Sequence, residues 1–213
     1  MRALITGANR GIGLELANAY RDAGHEVLAT ARNADEYLSL DVTDPASFQT
    51  LSDELGDLPI DLLICNAGVF LDRGHTIGNG YSPDLWAQTF AVNVTGVYLT
   101  VEALISNVKA ANGKIVIISS QMASQTKAPG GSYIYRASKA ASLSFGRNLS
   151  ADLKPEGIAV GIYHPGWVTT DMGGQGADID VNEAVAGLVQ RFDELTLETT
   201  GCFRTYSGED HPY

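Results

Sequence analysis

The sequence predicts an α/β protein in which a mostly parallel sheet of about seven strands is covered by helices on both faces. Three observations predict it. Short apolar runs of β type alternate with longer stretches of helical apolar spacing along the whole chain. Those stretches carry start and stop residues where crossover helices need them, such as Asp44-Pro45 before one and Asn112-Gly113 after another. The chain is 213 residues long and 45% hydrophobic, enough to bury one core and too apolar for a largely disordered protein.

Taken in order, Ala3 to Thr6 reads as the first strand, followed by a glycine-rich loop and a helix to about Ala23, which Gly24 stops. Glu26 to Ala31 is the second strand and Tyr37 to Val42 the third. A helix runs from Asp44-Pro45 to near Gly56, and Asp61 to Cys65 is the fourth strand. Ser82-Pro83 opens one long helix that ends near Asn112-Gly113. Lys114 to Ile118 is the fifth strand, Ser132 to about Lys154 a helix, and Ile158 to Tyr163 the sixth strand. A helix over Val181 to Phe192 and a short strand within Gly201 to Tyr206 complete the chain. With no repeat or linker, residues 1–213 read as one domain.

The connection from the second to the third strand is too short for a helix. Only Arg32 to Glu36 lie between them, and five extended residues reach about 17 Å at most, whereas a helical crossover takes a dozen or more residues. The crossover helix between strands 2 and 3 is therefore expected to be missing. The third strand agrees, because Leu38, Leu40 and Val42 alternate with Tyr37, Ser39 and Asp41. A strand covered on both faces reads as a continuous apolar run instead.

Composition narrows the function. Lys plus Arg total 14 against 25 Asp plus Glu, a net charge of −11, which disfavours a nucleic-acid partner because phosphate contact needs a basic face. Cys65 and Cys202 stand far apart in apolar stretches, with neither disulfide nor metal spacing, and the four histidines form no ligand pattern. No metal site is expected, nor a membrane span, since no apolar run reaches about 18 residues. The start, Met1-Arg2-Ala3-Leu4, enters a strand directly, so a cytoplasmic protein without a signal peptide is expected.

The chemistry-bearing signal begins at Gly7-Ala8-Asn9-Arg10-Gly11-Ile12-Gly13, between the first strand and the first helix. Glycines there let the chain turn sharply and let backbone N–H groups approach a pyrophosphate at a helix N-terminus. The spacing is Gly-x-x-x-Gly-x-Gly, and further pieces follow at the ends of later elements. These are Asp41-Val42, Asn66-Ala67-Gly68, Asn93, Ser119-Ser120, Tyr135-x-x-x-Lys139, and Pro165-Gly166 followed by Thr170. The ordered set resembles the short-chain dehydrogenase/reductase family over the chain from its start to about residue 172. The stretches Tyr133 to Ala140, His164 to Trp167 and Thr170 to Gly174 resemble its C-factor and sniffer-type carbonyl reductase branch.

That resemblance implies a Rossmann-like, doubly wound fold and an oxidoreductase that moves a hydride between NADP(H) and a small carbonyl or alcohol. It makes Tyr135 the general acid/base, Lys139 its partner and ribose contact, Ser120 the substrate-oxygen donor, and Asn93 the organiser of a relay water. Tyr135 and Lys139 are four apart and share one face of a helix, where an ammonium is expected to favour phenolate. Ser120 stands fifteen residues before Tyr135 where the family more often has thirteen, and the position at thirteen is Met122, which has no proton to donate. Gln121 to Gly131 thus reads as carrying a two-residue insertion.

The cofactor is expected to meet Gly7, Asn9, Arg10, Gly11, Ile12, Gly13, Arg32, Asp41, Val42, Asn66, Ala67, Gly68, Tyr135, Lys139, Pro165, Gly166, Val168 and Thr170. Asn66 reads equally as a turn cap, and Thr170 as a turn-stabilising hydroxyl. No acid ends the second strand, so Arg32 with Arg10 is expected to prefer the NADP phosphate over NAD; otherwise both are solvated surface arginines. Met122, Trp167 and Met172 are candidate pocket residues, with plain packing as the alternative. A homodimer through the long helices that start at Ser82 and Ser132 is the expected assembly. A second reading, from the same resemblance, is a C-factor-like signalling or cofactor-binding protein whose turnover is incidental.

Overall fold

The computed structural model describes residues 1–32, 36–174 and 176–213. Seven strands form one parallel sheet in the order β3-β2-β1-β4-β5-β6-β7. They are β1 (Arg2–Ile5), β2 (Glu26–Ala31), β3 (Leu38–Ser39), β4 (Leu62–Cys65), β5 (Lys114–Ile118), β6 (Ala159–His164) and β7 (Phe203–Thr205). The order reverses between β1 and β4, so the crevice outside their carboxyl ends is the place where this architecture takes ligands.

Each central strand sends alternate residues to opposite faces. Leu4, Leu63, Cys65, Ile115 and Ile117 pack under α2 (Pro45–Leu55), α4 (Gly96–Ala111) and α5 (Tyr133–Leu153). Ala3, Ile5, Leu62, Ile64 and Val116 pack under α1 (Gly11–Asp22) and α6 (Val181–Asp193). With both faces covered, all four residues of β4 are buried. Asp44 and Asp180 cap α2 and α6 through backbone N–H groups two residues on.

Several element limits differ from the sequence reading. β1 lies one residue earlier than expected. β3 has two residues where six were expected, because β2 ends at Ala31 and offers this edge strand no partner beyond Ser39. Asn33, Ala34 and Asp35 lie outside the described residues, and the expected absence of a helix before β3 falls on them; Arg32, Glu36 and Tyr37 form bends and a turn. The alternation holds, with Leu40 and Val42 in the core and Ser39 exposed.

The single long helix expected from Ser82 is instead α3 (Pro83–Phe90), a wide π-type turn over Ala91–Thr95, and α4. An 18-residue window within Pro83–Ala111 has a mean hydropathy of 1.3, long and apolar enough to cross a membrane by length and composition, which corrects the expectation that no stretch is. Here Val97, Val101, Leu104 and Val108 are buried against the sheet.

Leu104 is fully buried in the layer beneath α2, α4 and α5. Leu104→Ala is expected to cost about 2–5 kcal/mol, since the cavity adds to the lost transfer energy. An unfolding free energy from urea titration lowered by less than about 1 kcal/mol would contradict that packing.

Candidate active site

The site is built from the carboxyl ends of four adjacent strands. At the end of β1, Gly7 and Gly11 have φ of 65° and 53°, a region that favours glycine. A Cβ on Gly13 would stand 2.3 Å from the Gly7 carbonyl oxygen and 2.4 Å from Asn66 Nδ2. Arg10, at the N-cap of α1, is extended and offers no side-chain cap, so the first amides of α1 are free of side-chain acceptors there. That cradle fits a dinucleotide pyrophosphate.

Asn66 makes the bonds of a turn cap through its Nδ2 and backbone N–H. Its Nδ2 donates to the Thr6 and Gly7 carbonyls at 2.9 and 3.1 Å, and its backbone N–H donates to Thr6 Oγ1 at 3.0 Å. Ala67 N–H joins the same hydroxyl at 3.0 Å. Asp41 is likewise engaged locally, accepting from the Thr43 backbone and hydroxyl at 2.9 and 2.7 Å. Burial alone would raise its carboxyl, but those bonds and nearby Arg32 hold it below the usual range. Val42 turns its side chain into the core against Gly96, which leaves only its backbone for a ligand. Arg10 and Arg32 are both exposed, and Arg10 leans 3.5 Å from Asp171.

The end of the site that carries Tyr135 and Lys139 lies where α5 meets β5. Tyr135 and Lys139 are both buried. Lys139 Nζ lies 5.8 Å from the Tyr135 ring centroid and donates to the Ile118 carbonyl at 3.0 Å. Burial pushes the Tyr135 phenol up to about 12, against the Ser120 hydrogen bond and Arg73, while the charge of Asp72 adds to the rise. Burial also brings Lys139 down to about 8. The expectation that Lys139 draws Tyr135 toward phenolate is therefore corrected: desolvation dominates, and the ammonium spends its hydrogen bond on the backbone.

Ser120 and Ser119 point to different partners, as their alternation on a strand end requires. Ser119 Oγ donates to the Lys139 carbonyl at 3.3 Å. Ser120 Oγ accepts from the Met122 N–H at 3.1 Å, capping a short 3₁₀ turn over Gln121–Ala123 within the expected insertion. Asn93 is fully buried in the π-type turn. Its side chain accepts from the Val69 N–H at 2.8 Å and donates to the Val69 carbonyl and Ser138 Oγ, each at 2.9 Å. The wide turn brings that amide against the loop after β4, a placement that a regular 3.6-residue reading missed.

A cavity of about 340 Å³ opens beside Tyr135. Met122, Trp167 and Met172 line it, joined by Ile12, Phe70 and Arg73. Phe70 stacks on Tyr135 at 4.3 Å, and the Arg73 guanidinium lies 4.9 Å from the Phe70 centroid. In the sequence both fall in the Phe70 to Tyr81 stretch, legible only as a loop on which the pocket depends. Arg73 also donates to the Met172 and Gly173 carbonyls, bridging to the loop after β6. Pro165, Gly166, Val168 and Thr170 line the same cavity. The Thr170 hydroxyl stabilises its own turn through the Gly173 N–H at 3.0 Å, and its methyl faces Gly11. A larger groove of about 580 Å³, lined by Ser144, Arg147, Thr200 and Tyr213, contains none of these residues.

A doubly wound sheet with a glycine cradle at its switch point and a buried tyrosine–lysine pair beside it defines a Rossmann-type oxidoreductase. The chain belongs to the short-chain dehydrogenase family, whose model matches residues 1–178. It is 36% identical over 157 residues to the C-signal protein of Myxococcus xanthus, covering 73% of this chain and 93% of that protein. It is 30% identical over 188 residues to the 3-oxoacyl-[acyl-carrier-protein] reductase of Escherichia coli, covering 80% of this chain and 74% of that one. Among solved structures, the carbonyl reductase Sniffer of Drosophila melanogaster superposes with a TM-score of 0.92 at 26% identity, over 100% of this chain and 99% of that one. The NADPH-bound carbonyl reductase from chicken fatty liver gives 0.88 at 27%, over 100% and 98%. The C-factor and Sniffer-type branch suggested by the motifs is the one that C-signal and Sniffer represent.

His164, buried at the end of β6, accepts from the Gly166 N–H through Nδ1 at 3.3 Å. Burial, with His211 and Lys127 nearby, lowers it to about 3. Its neutral form contributes stability that is complete above pH ~6.5 and is lost as pH falls toward ~3, because the unfolded chain binds the proton first. The slope is up to about 1.4 kcal/mol per pH unit. His164→Asn keeps an acceptor without the titration, so urea unfolding between pH 6 and 4 should show a shallower slope in the variant. Parallel slopes would contradict this assignment.

Proposed function

We propose that the protein is an NADP(H)-dependent carbonyl reductase or alcohol dehydrogenase in which Tyr135 is the general acid/base. The observation that carries this reading is a buried phenol on the wall of an apolar cavity, with Ser120 on the same wall and Lys139 behind it. A substrate carbonyl oxygen held by the Ser120 hydroxyl and the Tyr135 phenol receives the phenol's proton as the carbonyl carbon gains a hydride. Bound NADPH supplies that hydride. Burial keeps Tyr135 protonated at neutral pH, the form that reduction requires. Lys139 would hold the cofactor ribose and help return a proton to Tyr135, and Asn93 would order the relay water.

The whole chain acts as one cofactor-binding and catalytic domain. Gly7 to Gly13, Arg32, the Asp41-Val42 backbone, Asn66 to Gly68 and Pro165 to Thr170 would hold the cofactor. The apolar walls favour a small carbonyl compound, and α4 and α5 form the expected homodimer face. A signalling role with incidental turnover is the second reading, favoured by the similarity to C-signal. An NADPH-oxidation assay against aldehydes, ketones and quinones separates the two: bound NADPH without turnover of any compound favours signalling.

Tyr135→Phe removes only the hydroxyl, so turnover is expected to fall about 10²–10⁴-fold with NADPH affinity nearly intact, whereas Lys139→Ala should weaken both. A Tyr135→Phe enzyme with near-normal kcat would refute the role. The NADP(H) preference is carried by Arg32 and Arg10. Arg32→Ala should lower the ratio of kcat/KM for NADPH over NADH by roughly tenfold, about the value of one charge-assisted contact. An unchanged ratio rejects the clamp.

A further inference from the structure

The helix that carries Tyr135 and Lys139 starts without a cap of its own. Gly130, Gly131 and Ser132 enter it in succession at positive φ of 88°, 69° and 46°, and Ser132, at the N-cap, makes no side-chain bond to the first turn. A serine at φ 46° is uncommon and costs backbone energy. The acceptor for that turn comes from elsewhere. Asp72, in the connection from β4 to α3, is fully buried and lies 62 residues away in sequence. Its carboxylate accepts from the Ile134 N–H at 2.9 Å and the Tyr135 N–H at 3.3 Å. A negative charge is favourable at that end of a helix, and an unpaired buried carboxylate would be costly. Two residues earlier, Phe70 lies against the Tyr135 ring, 4.3 Å away and 19° from parallel. One short segment therefore grips Tyr135 twice, by backbone and by ring.

We propose that Asp72 is the positioning residue for Tyr135: its buried carboxylate anchors the first turn of α5 from across the cleft and sets both the place and the electrostatic surroundings of the phenol. The inference rests on Tyr135 being the acid/base proposed above. Among the described residues, the charged and titratable groups that face the phenol are Lys139 on its own helix, Asp72 and Arg73 on the β4–α3 connection, and His164 at the end of β6. Arg73 favours phenolate and Asp72 opposes it. His164 is neutral over the working range, since burial holds it near 3. Removing the Asp72 charge while keeping its shape therefore makes the phenol ionise more readily.

The test uses the full chain with ring-labelled ¹³C tyrosine, the Tyr135 resonance being identified by its loss in Tyr135→Phe. Asp72→Asn keeps one acceptor for the helix end and removes the charge. Its Tyr135 titration midpoint is expected roughly 0.5–1 pH unit below that of the unaltered protein. The rise of kcat with pH in alcohol oxidation should move in the same direction by a similar amount. Asp72→Ala removes charge and acceptor together and should lose at least about tenfold in kcat, most of which Asp72→Asn recovers. If Asp72→Ala does not fold, Asp72→Asn decides alone. An unmoved Tyr135 midpoint in Asp72→Asn overturns the proposal, whatever the turnover. A shifted midpoint in a protein that reduces no carbonyl compound upholds the positioning and rejects the acid/base reading instead.

Discussion

Four hydrogen bonds between the ends of β1 and β4 are the constraint on which the rest of the site depends. Thr6 Oγ1 accepts from the Asn66 and Ala67 backbone, and Asn66 Nδ2 donates to the Thr6 and Gly7 carbonyls. Thr6 is buried, so breaking the knot would strand polar groups at about 1–3 kcal/mol each. The knot lies at the point where the strand order reverses. It holds the glycine loop open at one end and the Ala67-Gly68 turn at the other. Gly13 packs on the same atoms, and only a residue without Cβ leaves α1 close enough to aim its first amides into the crevice.

From that fixed edge, burial does most of the electrostatic work. Tyr135 and Lys139 are moved in opposite senses by the same cause, the tyrosine toward its neutral acid and the lysine toward its neutral amine. The lysine shift brings its ammonium and amine forms closer in energy near neutral pH, while the tyrosine shift holds the phenol protonated. The supports around the pair are mostly backbone contacts: Lys139 on Ile118, Asn93 on Val69, and the first turn of α5 on Asp72. Such contacts hold a side chain in place at little cost in side-chain entropy.

Much of this was legible in the residues themselves. Alternation of apolar runs, the Asp44-Pro45 start and the glycine spacing define a parallel sheet wound on both faces, because these are local signals of period, cap and turn. The ordered motifs likewise marked Tyr135, Lys139, Ser120 and Asn93, and the structure brings all four to one end of the sheet. The short β3 was harder to read, since its limit depends on where its neighbour β2 ends and not on its own alternating pattern.

What only the tertiary structure decided are the contacts between segments distant in sequence. The π-type turn that swings Asn93 inward, the stacking of Phe70 on Tyr135, the Arg73 bridge to Met172 and Gly173, and the Asp72 cap on α5 all join residues that no local pattern connects. Nor could sequence spacing set the balance at Tyr135. A lysine four residues on predicts a more acidic phenol, yet burial outweighs it, and burial is a property of the packed molecule. The residue types and their order thus determined the fold class and the chemical groups, whose cues are local. Their surroundings, and with them their ionisation, came from long-range packing.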